Sequence, residues 1–190
     1  MALVYRHVVQ ARLEVLFPEG ARVLRVECST GEEAVALAAA GAGYDGAYVS
    51  LGALGLADLR AVGAAVASAL RPGAWLVVSM PGPWPLPAVI RRTLTGVGVE
   101  RRSRASRFGE APAGLATPAE ARTALGAAFE ITDSYALGVV VPGPAQEQWA
   151  ADHPQAFGLL AALERAVRRW PVLRQLGDLS VLEGRRREPA

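Results

Sequence analysis

The spacing of apolar residues changes repeatedly along the chain. Leu3, Val4, His7, Val8, Ala11, Val15 and Leu16 recur at helical intervals with arginines between them, until Pro18-Glu19-Gly20 stops the run. Alternation replaces that period over 22–28, which reads as a strand with Val23, Arg25 and Glu27 on one face and Leu24, Val26 and Cys28 on the other. Thr30 and Glu33 form a T-x-x-E capping pattern for a helix over 31–40, ended by Gly41-Ala42-Gly43. A second strand is predicted over 44–51, a helix over 56–70 closed by Arg71-Pro72-Gly73, and a third, almost wholly apolar strand over 74–80.

Beyond Met80 the proline-rich run 81–87 excludes regular structure at its start, and 86–95 reads as a short helix stopped at Gly96-Val97-Gly98. Residues 100–114 read as an arginine-rich loop or cap. Thr117-Pro118-Ala119-Glu120 repeats the capping pattern, with proline at the first helical position, for a helix to about 128. A strand over 129–142, a helical region over 145–170 broken at Pro154, and a closing strand over 179–183 complete the chain before the charged tail 184–190. Strands alternating with helices call for parallel strands joined by crossovers, so the fold class is α/β, with all 190 residues in one domain. The charged alternation at Arg25 and Glu27 suits burial on one face only, which makes 22–28 an edge strand. Pairing of these two charges with neighbours beneath a helix is the less favourable arrangement.

Composition narrows the function classes. Apolar residues make up 52% of the chain, enough for a sizeable core. Every basic residue is arginine, but the net charge is only +2, which argues against a nucleic-acid surface. Cys28 is the single cysteine and His7 and His153 are far apart in sequence, so no metal site is expected. No run reaches the ~20 apolar residues of a membrane span, and the expected location is the cytoplasm. Without a G-x-S-x-G elbow or an evident serine, histidine and acid set, a hydrolase has no support.

The stretch VLRVECSTGEEA, residues 23–34, resembles the first motif of class I S-adenosylmethionine-dependent methyltransferases, commonly V-L-D/E-x-G-C-G-T-G. The resemblance extends over most of the chain. YDGAYVSLGALG at 44–55 is similar to the family's fourth strand and following loop, and LRPGAWLVVSM at 70–80 to the segment leading into the fifth. Residues 117–135 and GDLSVLE at 177–183 are similar to the penultimate helix, sixth strand and closing strand. The chain thus looks like a shortened, methyltransferase type 11-like protein. The resemblance implies a Rossmann-like, mostly parallel sheet with a C-terminal antiparallel strand. Only Gly41-Ala42-Gly43 separates the first helix from the strand over 44–51, so the family's second and third strands are expected to be missing, with their ribose-binding acid. The remaining order is 1-4-5-7-6 in the family's labels.

By the same resemblance, Glu27, Cys28, Ser29, Gly31, Ser50 and Leu51 occupy the cofactor-binding positions and Trp84 the acceptor side, although packing within a proline-rich loop is the plainer role for Trp84. The motif is degenerate. Arg25 stands at the acid position and Glu27 and Ser29 at two glycine positions; Cys28, Thr30 and Gly31 match. Arg25 would repel the ammonium and sulfonium of S-adenosylmethionine, and Glu27 adds a side chain where the backbone needs clearance. The expectation is a pseudoenzyme without cofactor or catalytic residue, acting as a binding or assembly subunit through the edge strand 22–28, as a homodimer or with a protein partner. The alternative is an active small-molecule methyltransferase whose S-adenosylmethionine site is completed by a partner chain. Tyr5 and Arg6 are read as part of a helix stapled to the core, His153 as a helix cap or breaker, and Arg101, Arg102, Arg104 and Arg107 as a solvated face.

Overall fold

The computed structural model describes residues 3–28, 43–51, 56–96, 116–141 and 147–188. The opening helix α1 (Leu3–Leu16) leads through a turn to β1 (Val23–Cys28), and β2 is Tyr44–Leu51. Helix α2 (Leu56–Ala69) runs directly into β3 (Leu70–Pro81), and α3 (Leu86–Leu94) follows the proline-rich turn. Helix α4 (Pro118–Leu125) precedes β4 (Phe129–Leu137), and α5 (Glu147–Asp152) and α6 (Pro154–Val167) precede β5 (Leu179–Arg186). The expected helix over 31–40 and the loop 100–114 lie outside the described residues.

These strands form one mixed sheet in the order β1-β2-β3-β5-β4. β1, β2 and β3 are parallel, and β5 inserts antiparallel between β3 and β4. Among the described residues β1 pairs with β2 alone and forms one edge. Side-chain alternation divides the sheet into two apolar faces. On the first, Leu24, Val26, Ala47, Val49, Leu76, Val78 and Leu182 meet Leu59, Val62 and Val66 of α2 and Ala121, Ala124 and Leu125 of α4. On the second, Tyr48, Val77, Tyr135, Leu137 and Val181 meet Val9 and Leu16 of α1. β3 is therefore covered on both sides, as its unbroken apolar run requires.

Three boundaries differ from the sequence reading, each for a visible reason. Arg71-Pro72-Gly73 does not close α2 but opens β3: Leu70 already pairs with Tyr44, and the ladder jumps from there to Gly46 opposite Trp75. Gly73 takes up this irregularity at φ +74, and Arg71 fastens it by an ion pair to Asp45 at 2.8 Å. β4 stops at Leu137, five residues before Pro142, because Gly138 turns the chain at φ +75 and the amides of 138–141 bond to a side chain instead of a strand. β5 continues past Glu183 to Arg186, with Arg185 stacked 4.2 Å over the Trp75 ring.

The cap of α4 is as the sequence predicts. Thr117 Oγ1 accepts from the Glu120 amide at 3.2 Å, the Glu120 carboxylate accepts from the Thr117 amide at 2.7 Å, and Pro118 follows the cap. Because α4 carries core residues to the first face, Thr117→Ala is expected to lower global stability by about 1 kcal/mol in urea unfolding. An unchanged midpoint would show that the cap is dispensable.

Candidate functional site

Two regions could carry function: the carboxyl ends of the parallel strands, and the second face of the sheet beneath α1 and α6. Parallel strands converge on a rim where ligands of doubly wound sheets bind. Here the register sets Glu27 beside Ser50 and Cys28 beside Leu51, so four of the expected cofactor-binding positions are neighbours on the last rungs of β1 and β2. Ser50 is half-buried, and Arg25, two residues before Glu27, is exposed. Ser29 and Gly31, with the Thr30 cap, lie outside the described residues.

Trp84 is half-buried in the turn after β3. That turn is pressed against the start of β5, with the Gly82 amide donating to the Asp178 carbonyl and the Leu86 amide to the Leu176 carbonyl, both at 2.7 Å. A Cβ on Gly82 would collide with the Gly177 carbonyl, so glycine is required there by close approach. His153 occupies the break between α5 and α6, just before Pro154. Its side chain caps no amide of α6; Nδ1 lies 3.1 Å from the Trp149 carbonyl and the ring stacks on Trp149. The backbones of Tyr5 and Arg6 belong to α1, and the side-chain surroundings of both lie outside the description.

The sequence reading did not find the polar network on the second face. Glu183, on β5 between β3 and the edge strand β4, is completely buried. Arg12 of α1 reaches it with two nitrogens: Nε donates to both carboxylate oxygens at 2.9 and 3.0 Å, and Nη2 donates to Oε2 at 2.6 Å. The Tyr135 hydroxyl donates to Oε1 at 3.0 Å. A buried carboxylate is tolerable only when its lone pairs are filled in this way. Arg12 is held above its ordinary pKa mainly by its hydrogen bond to Glu183. Around Tyr135 the network widens, with Arg168 and Arg169 stacked 4.8 and 5.2 Å from its ring centre and Arg169 ion-paired to Asp133 at 2.8 Å.

A second buried carboxylate shapes the turn after β4. Oε1 of Glu164 accepts from the amides of Gly138 and Val139, and Oε2 from those of Val140 and Val141, at 2.7 to 3.3 Å. Those four donors have left the sheet, and this one side chain of α6 satisfies them. Between α1 and α6, over Leu137, an open cavity of about 710 Å³ remains. Its walls are mostly apolar, with Arg12, Arg165, Arg168 and Glu164 as its charged groups. Among the described residues, no group of three or more His, Cys, Asp or Glu could hold a metal ion, and no helix is long and apolar enough to cross a membrane.

Structural neighbours of this chain include S-adenosylmethionine-dependent methyltransferases. One, from Mesorhizobium loti, is 17% identical over 93% of this chain and 96% of its own, with a TM-score of 0.48. Another belongs to a complex between the Haloferax volcanii Trm112 methyltransferase activator and a methyltransferase, at 13% identity over 97% of this chain and 90% of that one, with a TM-score of 0.46. A possible exported protein from Bordetella parapertussis matches with a TM-score of 0.50, at 13% identity over 98% of this chain and 69% of that chain. No protein-family model and no curated protein matches the chain. At these identities the likeness concerns the fold alone.

Burial, with the neighbouring Glu183 charge and hydrogen bond, raises the pKa of Tyr135 well above its ordinary 10.0. A raised folded-state pKa means that the protonated phenol is favoured in the native state. Its contribution to stability is full below pH 10 and is lost as the pH rises through the folded value. In an ultraviolet alkaline titration one of the four tyrosines should therefore ionise late, together with unfolding, and Tyr135→Phe should remove that phase. Persistence of the late phase in the variant would contradict the assignment.

Proposed function

We propose that this methyltransferase-like protein is impaired in S-adenosylmethionine binding and serves as a non-catalytic binding or assembly subunit. The observation that carries the reading is the residue set on β1. Arg25 and Glu27 stand where the resembling motif has an acid and a glycine, on a strand that pairs on one side only among the described residues. A cation at the acid position opposes a ligand that carries an ammonium and a sulfonium, and a side chain at the glycine position takes up the clearance that a close-lying ligand needs. The residues of this rim do not fit the cofactor.

Loss of the family's second and third strands accounts for the same residues. With no strand beyond it among the described residues, β1 is released from burial on both faces and tolerates Arg25, which is exposed. An unpaired edge also offers amides and carbonyls for strand addition, so 22–28 is the surface through which a second copy or a protein partner would join.

One observation favours a second reading. Glu27 beside Ser50 and Cys28 beside Leu51 retain the neighbouring strand ends that a rim site is built from. An active small-molecule methyltransferase with its cofactor site completed by a partner chain would use that rim, with Trp84 toward the acceptor. Calorimetric titration of the purified chain with S-adenosylmethionine and S-adenosylhomocysteine separates the two. The non-catalytic reading expects no heat of binding up to about 1 mM, where binding free energy is only about 4 kcal/mol, and a dimer by light scattering. Sub-millimolar binding of either compound would overturn it.

A further inference from the structure

We infer that the cavity between α1 and α6 is a binding site for a small organic acid with one carboxylate and an apolar body. This inference is independent of whether the β1–β2 rim holds a cofactor. The cavity is about 710 Å³, within the range of small-molecule pockets, and lies on the second face of the sheet. Val8, Ala11 and Val15 of α1 form one wall, Phe157 and Ala161 of α6 the opposite one, and Leu137 and Val141 close the space between them. Such a surface favours an apolar body and offers few partners for a sugar or a polyphosphate.

The charge of the expected ligand follows from how each polar group is already engaged. Glu164 is the one carboxylate of the lining, and both its oxygens are committed to the amides of 138–141. Arg12 is bound to Glu183, and Arg169, behind the wall, to Asp133. Arg168 differs: its Nε is buried and makes no hydrogen bond, and the guanidinium rests on the Tyr135 ring. Burial pushes the Arg168 pKa down, as expected for a cation that has lost water without gaining a sufficient acceptor. A buried donor of this kind costs free energy until it is filled, and a carboxylate presents the two acceptors that a guanidinium matches. Exposed Arg165 adds a further positive charge beside it. One anionic head at Arg168 and an apolar body between α1 and α6 satisfy both the charge and the shape.

Decanoate, kept below its micelle-forming concentration, is the probe, and decanol is its uncharged counterpart; both are titrated calorimetrically into the full chain. Decanoate should bind about tenfold more tightly than decanol, the preference a charge-assisted hydrogen bond supplies. Arg168→Gln should abolish that preference while leaving decanol binding unchanged, and Arg168→Lys should restore part of it. Ala161→Phe, which fills the cavity and leaves every charge in place, should abolish both bindings. If Arg168→Gln does not fold, the acid-against-alcohol comparison and Ala161→Phe still decide. Absence of binding, equal affinity for acid and alcohol, or binding unaffected by Ala161→Phe would each overturn the inference.

Discussion

The rest of the molecule hangs on the contact between Arg12 and Glu183. Glu183 stands inside the sheet, fully buried on the strand that joins the parallel half to the antiparallel edge. Isolated there, its charge would be strongly unfavourable; with Arg12 and the Tyr135 hydroxyl filling its lone pairs, it becomes the point at which α1 is fixed to the second face. Val9 and Leu16 supply non-directional burial on the same helix, which holds α1 down without specifying its rotation. Hydrogen bonds with fixed geometry set that rotation, and with it the row Val8, Ala11 and Val15 that faces the cavity.

Glu164 performs a comparable task on the other wall. A strand that leaves its sheet exposes a row of amides, and without partners the turn after β4 would be costly to bury. Four of these amides converge on one carboxylate, which ties α6 to the end of β4. The two buried acids thus place α1 and α6 independently, and the gap between these helices is the cavity. Arg168, one turn beyond Glu164, is the group left over, stacked on the same tyrosine that serves Glu183.

Much of the sheet could be read from the chain because it depends on local signals. Alternation over 22–28, the continuous apolar run 74–80 and the capping pattern at Thr117 and Glu120 each identify an element from adjacent residues. Strand order followed from the resemblance together with the short link 41–43. The Arg12–Glu183 bond could not be read in this way, since its partners are 171 residues apart and nothing around Glu183 marks it as buried; LSVLE is as compatible with an exposed acid at a strand end. The general cost of burying charge does not mark it either, because that cost is for an isolated ion and not one with its hydrogen bonds filled. Glycines at positive φ moved the strand boundaries: Gly73 begins β3 early and Gly138 ends β4 early, while either could equally mark an ordinary loop. Of the rim, the register of Glu27 with Ser50 and of Cys28 with Leu51 adds a spatial relation that no spacing along the sequence contains.

A double-mutant cycle in urea unfolding, using Arg12→Ala, Glu183→Leu and their combination, tests most directly whether one buried pair organises the second face. Removing Arg12 alone should cost about 3 kcal/mol, because Glu183 is left buried with one donor, whereas the same change in the Glu183→Leu background should cost far less, giving a coupling of about 2 kcal/mol or more. Additive effects of the two substitutions would contradict the account.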